Sequence, residues 1–167
     1  SQPAVDPAIA QIVSQIDPSR LRADDTALVG FGTRSLFSEQ TSTATHGVFG
    51  ARDWIAAQLR EIAKSSGGRM TVTLDTYTAA KTERMARAAV SSSVIAVLKG
   101  DDPTGRTYVM SSHYDSRNTD NNDGVHDAPG ADDNGSAVSA VIEAARALAP
   151  HRFHGTIVFA AFDGEEQ

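Results

Sequence analysis

A strand–helix–strand succession in the last third of the chain limits what this sequence can fold into. Residues 155–162 form a near-continuous apolar run. Strands of that kind are buried on both faces and belong to parallel sheets. Ahead of it, Val138, Val141, Ile142, Ala145 and Leu148 recur at helical spacing over residues 136–149, and Pro150 closes the helix. An earlier strand, 108–112, is separated from that helix by the polar loop 113–130. The three segments make a βαβ unit with a right-handed crossover. The expected fold class is therefore α/β, three layers deep, with helices covering a mixed or largely parallel sheet.

The upstream half supplies the rest of the layers. Asp6-Pro7 reads as a helix start, with Ile9, Ile12, Val13 and Ile16 on one face and Asp17-Pro18 as its end. Residues 23–47 mix Thr, Ser, Gly and charge without period and read as a loop-rich segment. A second helix over about 49–64 places Ala51, Trp54, Ile55, Leu59 and Ile62 on one face before Gly67-Gly68. Met70, Val72 and Leu74 alternate with threonines, as in a half-buried strand. Residues 78–89 read as a solvated connection. Residues 94–98 form a buried strand, and Asp101 to Gly105 a turn that joins it to strand 107–112 as a hairpin. The chain thus divides into a helical lead-in, 1–68, and a sheet core, 69–167, of one domain.

Composition removes several functions. The chain of 167 residues carries a formal charge of −6 and no Lys/Arg cluster, which argues against a general nucleic-acid binder. The longest strictly apolar run, 157–162, is too short to span a bilayer. With no cysteine, disulfides, thiolate metal sites and a cysteine nucleophile are all excluded. The start at Ser1-Gln2-Pro3-Ala4 suits a mature protein after leader removal, so a secreted or periplasmic location is expected. Gln167 follows directly on a strand and a Glu-Glu pair, where domains rarely stop. The remainder of the protein is expected as a partner, because strand 155–162 would otherwise lie near a bare sheet edge.

In an open α/β sheet, ligands gather beyond the carboxyl ends of the strands. The βαβ connectivity brings His113, Asp115, Asp133, Glu165 and Glu166 to one such rim. An imidazole and several carboxylates together at one rim are poorly tolerated without a cation. Nitrogen and oxygen donors without sulfur suit a hydrolytic zinc site. His113 would supply a nitrogen ligand, and Asp115 would hold the other ring nitrogen. Asp133 could bridge two metals about 3.5–4 Å apart. Of Glu165 and Glu166, one would bind metal while the other acts as general base. Each residue also has a plainer role. Asp132 and Asp133 could cap a helix, the Glu-Glu pair could be a solvated turn, and residues 118–124 could form a polar or calcium-binding loop whose glycine falls one place late for an EF-hand. His126, His151 and His154 are read as surface residues.

Four motifs in order resemble the M28 family of zinc aminopeptidases. They are His113-Tyr114-Asp115-Ser116, Gly130 through Ser136, Glu143-Ala144-Ala145-Arg146, and Phe159 through Gln167. The resemblance is strong over about 90–167 and extends less diagnostically to Gly50-Ala51-Arg52-Asp53-Trp54-Ile55. It implies a zinc-exopeptidase-like fold, here its N-terminal portion, acting on peptide substrates with two zinc ions per complete site. By the same resemblance His113 binds one zinc, Asp133 bridges both, Glu166 binds the other, Glu165 is the catalytic base and Asp115 orients His113. The family's later Asp and His ligands and most of its substrate pocket lie in the remainder. Glutaminyl cyclases, similar one-zinc relatives, share the His-Tyr-Asp-Ser and Phe-Asp-Gly-Glu-Glu strings, but Asp132 to Ser136 and Glu165-Glu166-Gln167 favour the peptidase branch. The third reading is a non-catalytic module of the same fold.

Overall fold

Two aspartates set the start of the chain's first helices. The computed structural model describes residues 5–167, so the reading of residues 1–4 as a mature start lies outside the described residues. Asp6 caps α1 (Pro7–Val13) by accepting the Ala8 amide at 2.8 Å, and Asp17 caps α2 (Pro18–Val29) by accepting the Ser19 amide at 2.8 Å. Proline at the first helical position suits both starts, since its missing N–H would have no intrahelical partner. Asp17-Pro18 therefore starts a second helix and does not end the first, which stops at Val13 with Ser14 as its cap and leaves Ile16 outside it. The loop expected over 23–47 begins only after Val29. On α1 only Ile12 is buried, while Ile9 and Val13 face outward.

The central sheet has four strands, β1 (Met70–Ala79), β2 (Ala89–Leu98), β3 (Thr107–His113) and β4 (Thr156–Phe162), in the order β1-β2-β4-β3. The β1–β2 pair is antiparallel, β2–β4 is antiparallel, and β3–β4 is parallel. The mixed sheet agrees with the expected class, and its parallel pair is the βαβ unit. Two local expectations fail. β3 does not form a hairpin with β2, because β4 is inserted between them; the hairpin is β1–β2. For the same reason strand 155–162 lies inside the sheet. Among the described residues the edges are β1 and β3, and Tyr108 and Val109 on β3 are exposed.

Alternation along the strands explains the core. Val94, Ala96, Leu98, Ile157, Phe159 and Ala161 face the helices and pack in one cluster with α3 (Gly47–Ala63) and α4 (Ser136–Leu148). α3 lies over β1 and β2, α4 over β3 and β4, and the two helices touch. Leu59, Ile55 and Val48 on α3 and Ile142 on α4 are fully buried. On the opposite face Ile95, Val97 and Val158 are half-buried and Phe162 is exposed. A smaller cluster of Leu36, Phe37, Met85 and Ala89 closes the end where β1 finishes and β2 begins.

α2 is held differently. Its Arg20 donates to the buried carboxylate of Glu143 on α4 (Nη2 to Oε1, 2.9 Å), which also accepts from Arg146 and from the Asp17 amide at 3.0 Å. A fully buried carboxylate is tolerable only with such partners.

Phe159 is completely enclosed between β2, β3 and the helices. Its replacement by alanine in the whole protein is expected to cost about 3–5 kcal/mol in urea unfolding, through lost burial and the cavity left behind.

Candidate metal centre

The register of the parallel pair places the site. His113 on β3 lies opposite Phe162 on β4, so both strands leave the sheet together at the same rim. Asp133 arrives from the other side of the βαβ unit, on the short segment 131–135 that feeds α4. Its backbone is extended there (φ −117°, ψ 93°), the peptide to Asn134 is cis, and its side chain is largely exposed. His113 Nε2 lies 3.1 Å from Asp133 Oδ1 and 3.9 Å from Glu165 Oε2. Asp133 and Glu165 thus both neighbour His113 at the expected rim.

Asp115 organises the other side of the imidazole. Its carboxylate is fully buried, with Oδ1 3.3 Å from His113 Nδ1, and its main-chain carbonyl oxygen lies 3.2 Å from the same nitrogen. The same carboxylate accepts the amides of Glu165 (3.2 Å) and Glu166 (3.0 Å). Both amides reach it because Gly164 turns the chain at φ +85°, a conformation a side chain would strain. Asp115 therefore fixes the ring and the Glu-Glu turn at once. Its hydrogen bond to His113, opposed by partial burial and aided by the charges of Asp115 and Glu165, raises the imidazole to about 9.

The two glutamates diverge. Glu165 is mostly exposed and faces His113, whereas Glu166 is 12% exposed and accepts from Arg117 Nε at 2.7 Å. Arg117 is steadied by Asn121 Oδ1 at 2.8 Å. Among the described residues no three His, Asp or Glu side chains converge on one metal position. The donor chemistry still suits zinc in part: His113 Nε2 and Asp133 Oδ1 face each other, with Nδ1 committed to Asp115. Glu166 would have to leave Arg117 to join them.

Other residues at the rim had no periodic signal. Asp163 follows β4 into the interior, where its Oδ2 accepts the Ser92 amide at 2.9 Å and its Oδ1 has no partner. Burial, reinforced by the charge of Asp115 and opposed by the Ser92 amide, pushes it up to about 7. A single acidic residue interrupting the end of an apolar strand was the available clue. Arg34, fully buried, also lies behind the rim. In the loop 118–124 the carboxylate of Asp123 accepts from the Val125 and His126 amides and from Asn118 Nδ2, so it serves the turn itself. His126 is exposed as expected, but it pairs with Asp123 at 2.8 Å.

Against known proteins, the model of peptidase family M28 matches residues 93–167. A probable zinc metalloprotease of Pyricularia oryzae is 47% identical over 155 residues, covering 93% of this chain and 31% of that protein. Another from Leptosphaeria maculans is 43% identical, covering 99% of this chain and 38% of that one. A probable leucine aminopeptidase of Arthroderma otae is 30% identical, covering 95% and 39%. The chain spans about a third of the length of these relatives. In structure it is similar to the aminopeptidase LapA of Legionella pneumophila (TM-score 0.68, 21% identity, 99% of this chain and 41% of that one). It is equally similar to a glutaminyl cyclase of Porphyromonas gingivalis (TM-score 0.68, 24% identity, 91% and 47%). These two likenesses establish the fold.

The His113–Asp115 contact has a measurable consequence. In chelator-treated protein the His113 ring protons should titrate near 9 rather than 6.5. Because the folded value is the higher one, this contact stabilises the fold fully below pH 6.5 and is lost as pH rises through about 9. Asp115→Asn should return the NMR titration midpoint toward the ordinary value; an unchanged midpoint would contradict the assignment.

Proposed function

The chain belongs to peptidase family M28 through residues 93–167, and we propose on that basis that the whole protein is a zinc aminopeptidase cleaving N-terminal peptide bonds. The names of the curated relatives imply zinc, and the likeness to a probable leucine aminopeptidase supports exopeptidase action. The observation that carries the reading is the position of His113 Nε2, between Asp133 Oδ1 and Glu165 Oε2, with Nδ1 held by the buried Asp115.

In this proposal His113 and Asp133 hold zinc, with Glu166 and residues of the remaining protein completing a two-ion site. Zinc would polarise the scissile carbonyl and acidify the attacking water. Asp115 keeps Nδ1 occupied, so that Nε2 alone is presented to the metal. A ligating imidazole must give up its proton, so the raised affinity of His113 for that proton weakens metal binding as pH falls. Glu165 takes the proton of the water and passes it to the leaving amine. Its exposed carboxylate, on a turn anchored by Asp115, suits that transfer. The rest of the protein is placed against the open edge of β3 and the uncovered face bearing Phe162, where apolar side chains stand exposed.

The Arg117–Glu166 pair favours a second reading, a one-zinc enzyme of glutaminyl cyclase type, since it withholds one carboxylate from the centre. The non-catalytic reading loses its calcium loop to the internal hydrogen bonds of Asp123.

Elemental analysis of the whole protein should give two zinc ions per chain for the aminopeptidase and one for the cyclase. Glu165→Gln should retain zinc and lose about 10²–10⁴-fold in the release of amino acid from unblocked peptides. Retention of most activity by that variant, with zinc still bound, would overturn the assigned base.

A further inference from the structure

Among the described residues Arg34 is the largest fully buried side chain, at 0% exposure, and no carboxylate there lies within ion-pair distance of it. The carboxylates of Asp115 and Asp25 act on it only from beyond that distance, and a buried charge without a direct ion pair is costly unless polar groups solvate it. Main-chain carbonyls do so here. Nε donates to Tyr114 O at 2.7 Å, Nη1 to Leu28 O at 2.9 Å and Pro129 O at 2.7 Å, and Nη2 to Gly130 O at 2.8 Å. Burial lowers the guanidinium only to about 10, so it stays cationic at neutral pH.

The identity of those carbonyls is informative. Tyr114 lies between His113 and Asp115. Pro129 and Gly130 lead directly to Asp133. Leu28 lies in the last turn of α2. One planar fork thus joins the two arms that carry the facing donors His113 Nε2 and Asp133 Oδ1. The backbone repeats the connection: the Arg34 amide donates to Ser116 Oγ at 3.0 Å, Ser116 Oγ–H donates to Ala128 O at 2.6 Å, and the Ala128 amide donates to Gly32 O at 2.9 Å. Movement of either arm would strand buried N–H groups, which holds both to within a hydrogen-bond length.

We propose that Arg34 is a positioning residue of the metal centre, whose guanidinium sets the separation between the His113–Asp115 arm and the Asp133 arm. The proposal rests on the zinc reading above and adds to it a residue from the lead-in segment, more than 70 positions from any ligand. The fork geometry is essential. A lysine supplies charge but only three donors on one atom, and cannot span carbonyls on three segments.

The test is zinc affinity of the whole protein, measured by competition with a chromogenic chelator, with no assay of catalysis. Arg34→Lys should bind zinc about 10–100-fold more weakly, the range for lost support of a metal ligand. Gly130→Ala approaches the same contact from the loop and keeps the guanidinium. A β-carbon there would sit 2.6 Å from Asp133 O, 2.7 Å from Ser116 Cβ and 2.9 Å from Arg34 Nη2, so it crowds the Asp133 arm together with the guanidinium and should also weaken zinc binding. Leu59→Ala, buried on α3, should lower the melting temperature without changing affinity. Wild-type affinity in Arg34→Lys overturns the proposal, as does wild-type affinity in Gly130→Ala if Arg34→Lys does not fold. An equal loss in Leu59→Ala also overturns it, by showing a general stability effect. Failure of the wild-type protein to bind zinc at all would instead remove the zinc reading on which the proposal stands.

Discussion

A single buried carboxylate holds the rim together. Asp115 has no exposed surface, yet it receives a ring nitrogen from one strand end and two amides from the neighbouring strand's turn. Hydrogen bonds to an ionised acceptor are stronger than neutral ones, and burial strengthens them further. Everything distinctive about the site depends on this junction: the outward Nε2 of His113, the exposed carboxylate of Glu165, and the turn of Gly164 that makes both amides available. Without it, the ends of β3 and β4 would be adjacent only through the sheet ladder.

What could be read from the sequence follows how local the determining interactions are. The βαβ unit was legible because helical spacing in α4 and the apolar run of β4 are properties of short windows. That Asp133 and Glu165 neighbour His113 at the rim then followed from connectivity alone. α2 was not legible, since Leu21, Ala27 and Leu28 make a thin apolar face and the helix is secured instead by Arg20 to Glu143, a partner 123 residues away. The partner of β3 was misread for the same reason. The short turn after β2 suggests a hairpin, and only the tertiary packing of α4 decides that β4 lies between them.

Arg34 shows the limit more sharply. Within Thr33-Arg34-Ser35 nothing separates a buried arginine from a solvated one, because its partners are carbonyls that every residue possesses. Asp163 is similar, since its burial depends on the serines of β2 that lie across the sheet. Glu166 was legible as a rim residue, but its pairing with Arg117 was not, because that contact links two loops 49 residues apart.

The long reach of these contacts also orders events during synthesis. Arg34 and Arg20 emerge from the ribosome early, but the carbonyl of Tyr114 comes 80 residues after Arg34 and the carboxylate of Glu143 comes 123 residues after Arg20. Closing loops of that length carries an entropic cost that the nascent lead-in cannot offset by itself. The β1–β2 hairpin, which ends at Leu98, is complete before either partner exists. α1, α2 and the Arg34 segment can therefore reach their final contacts only once the crossover helix has been made, whereas α3 meets β1 and β2 as soon as that hairpin exists.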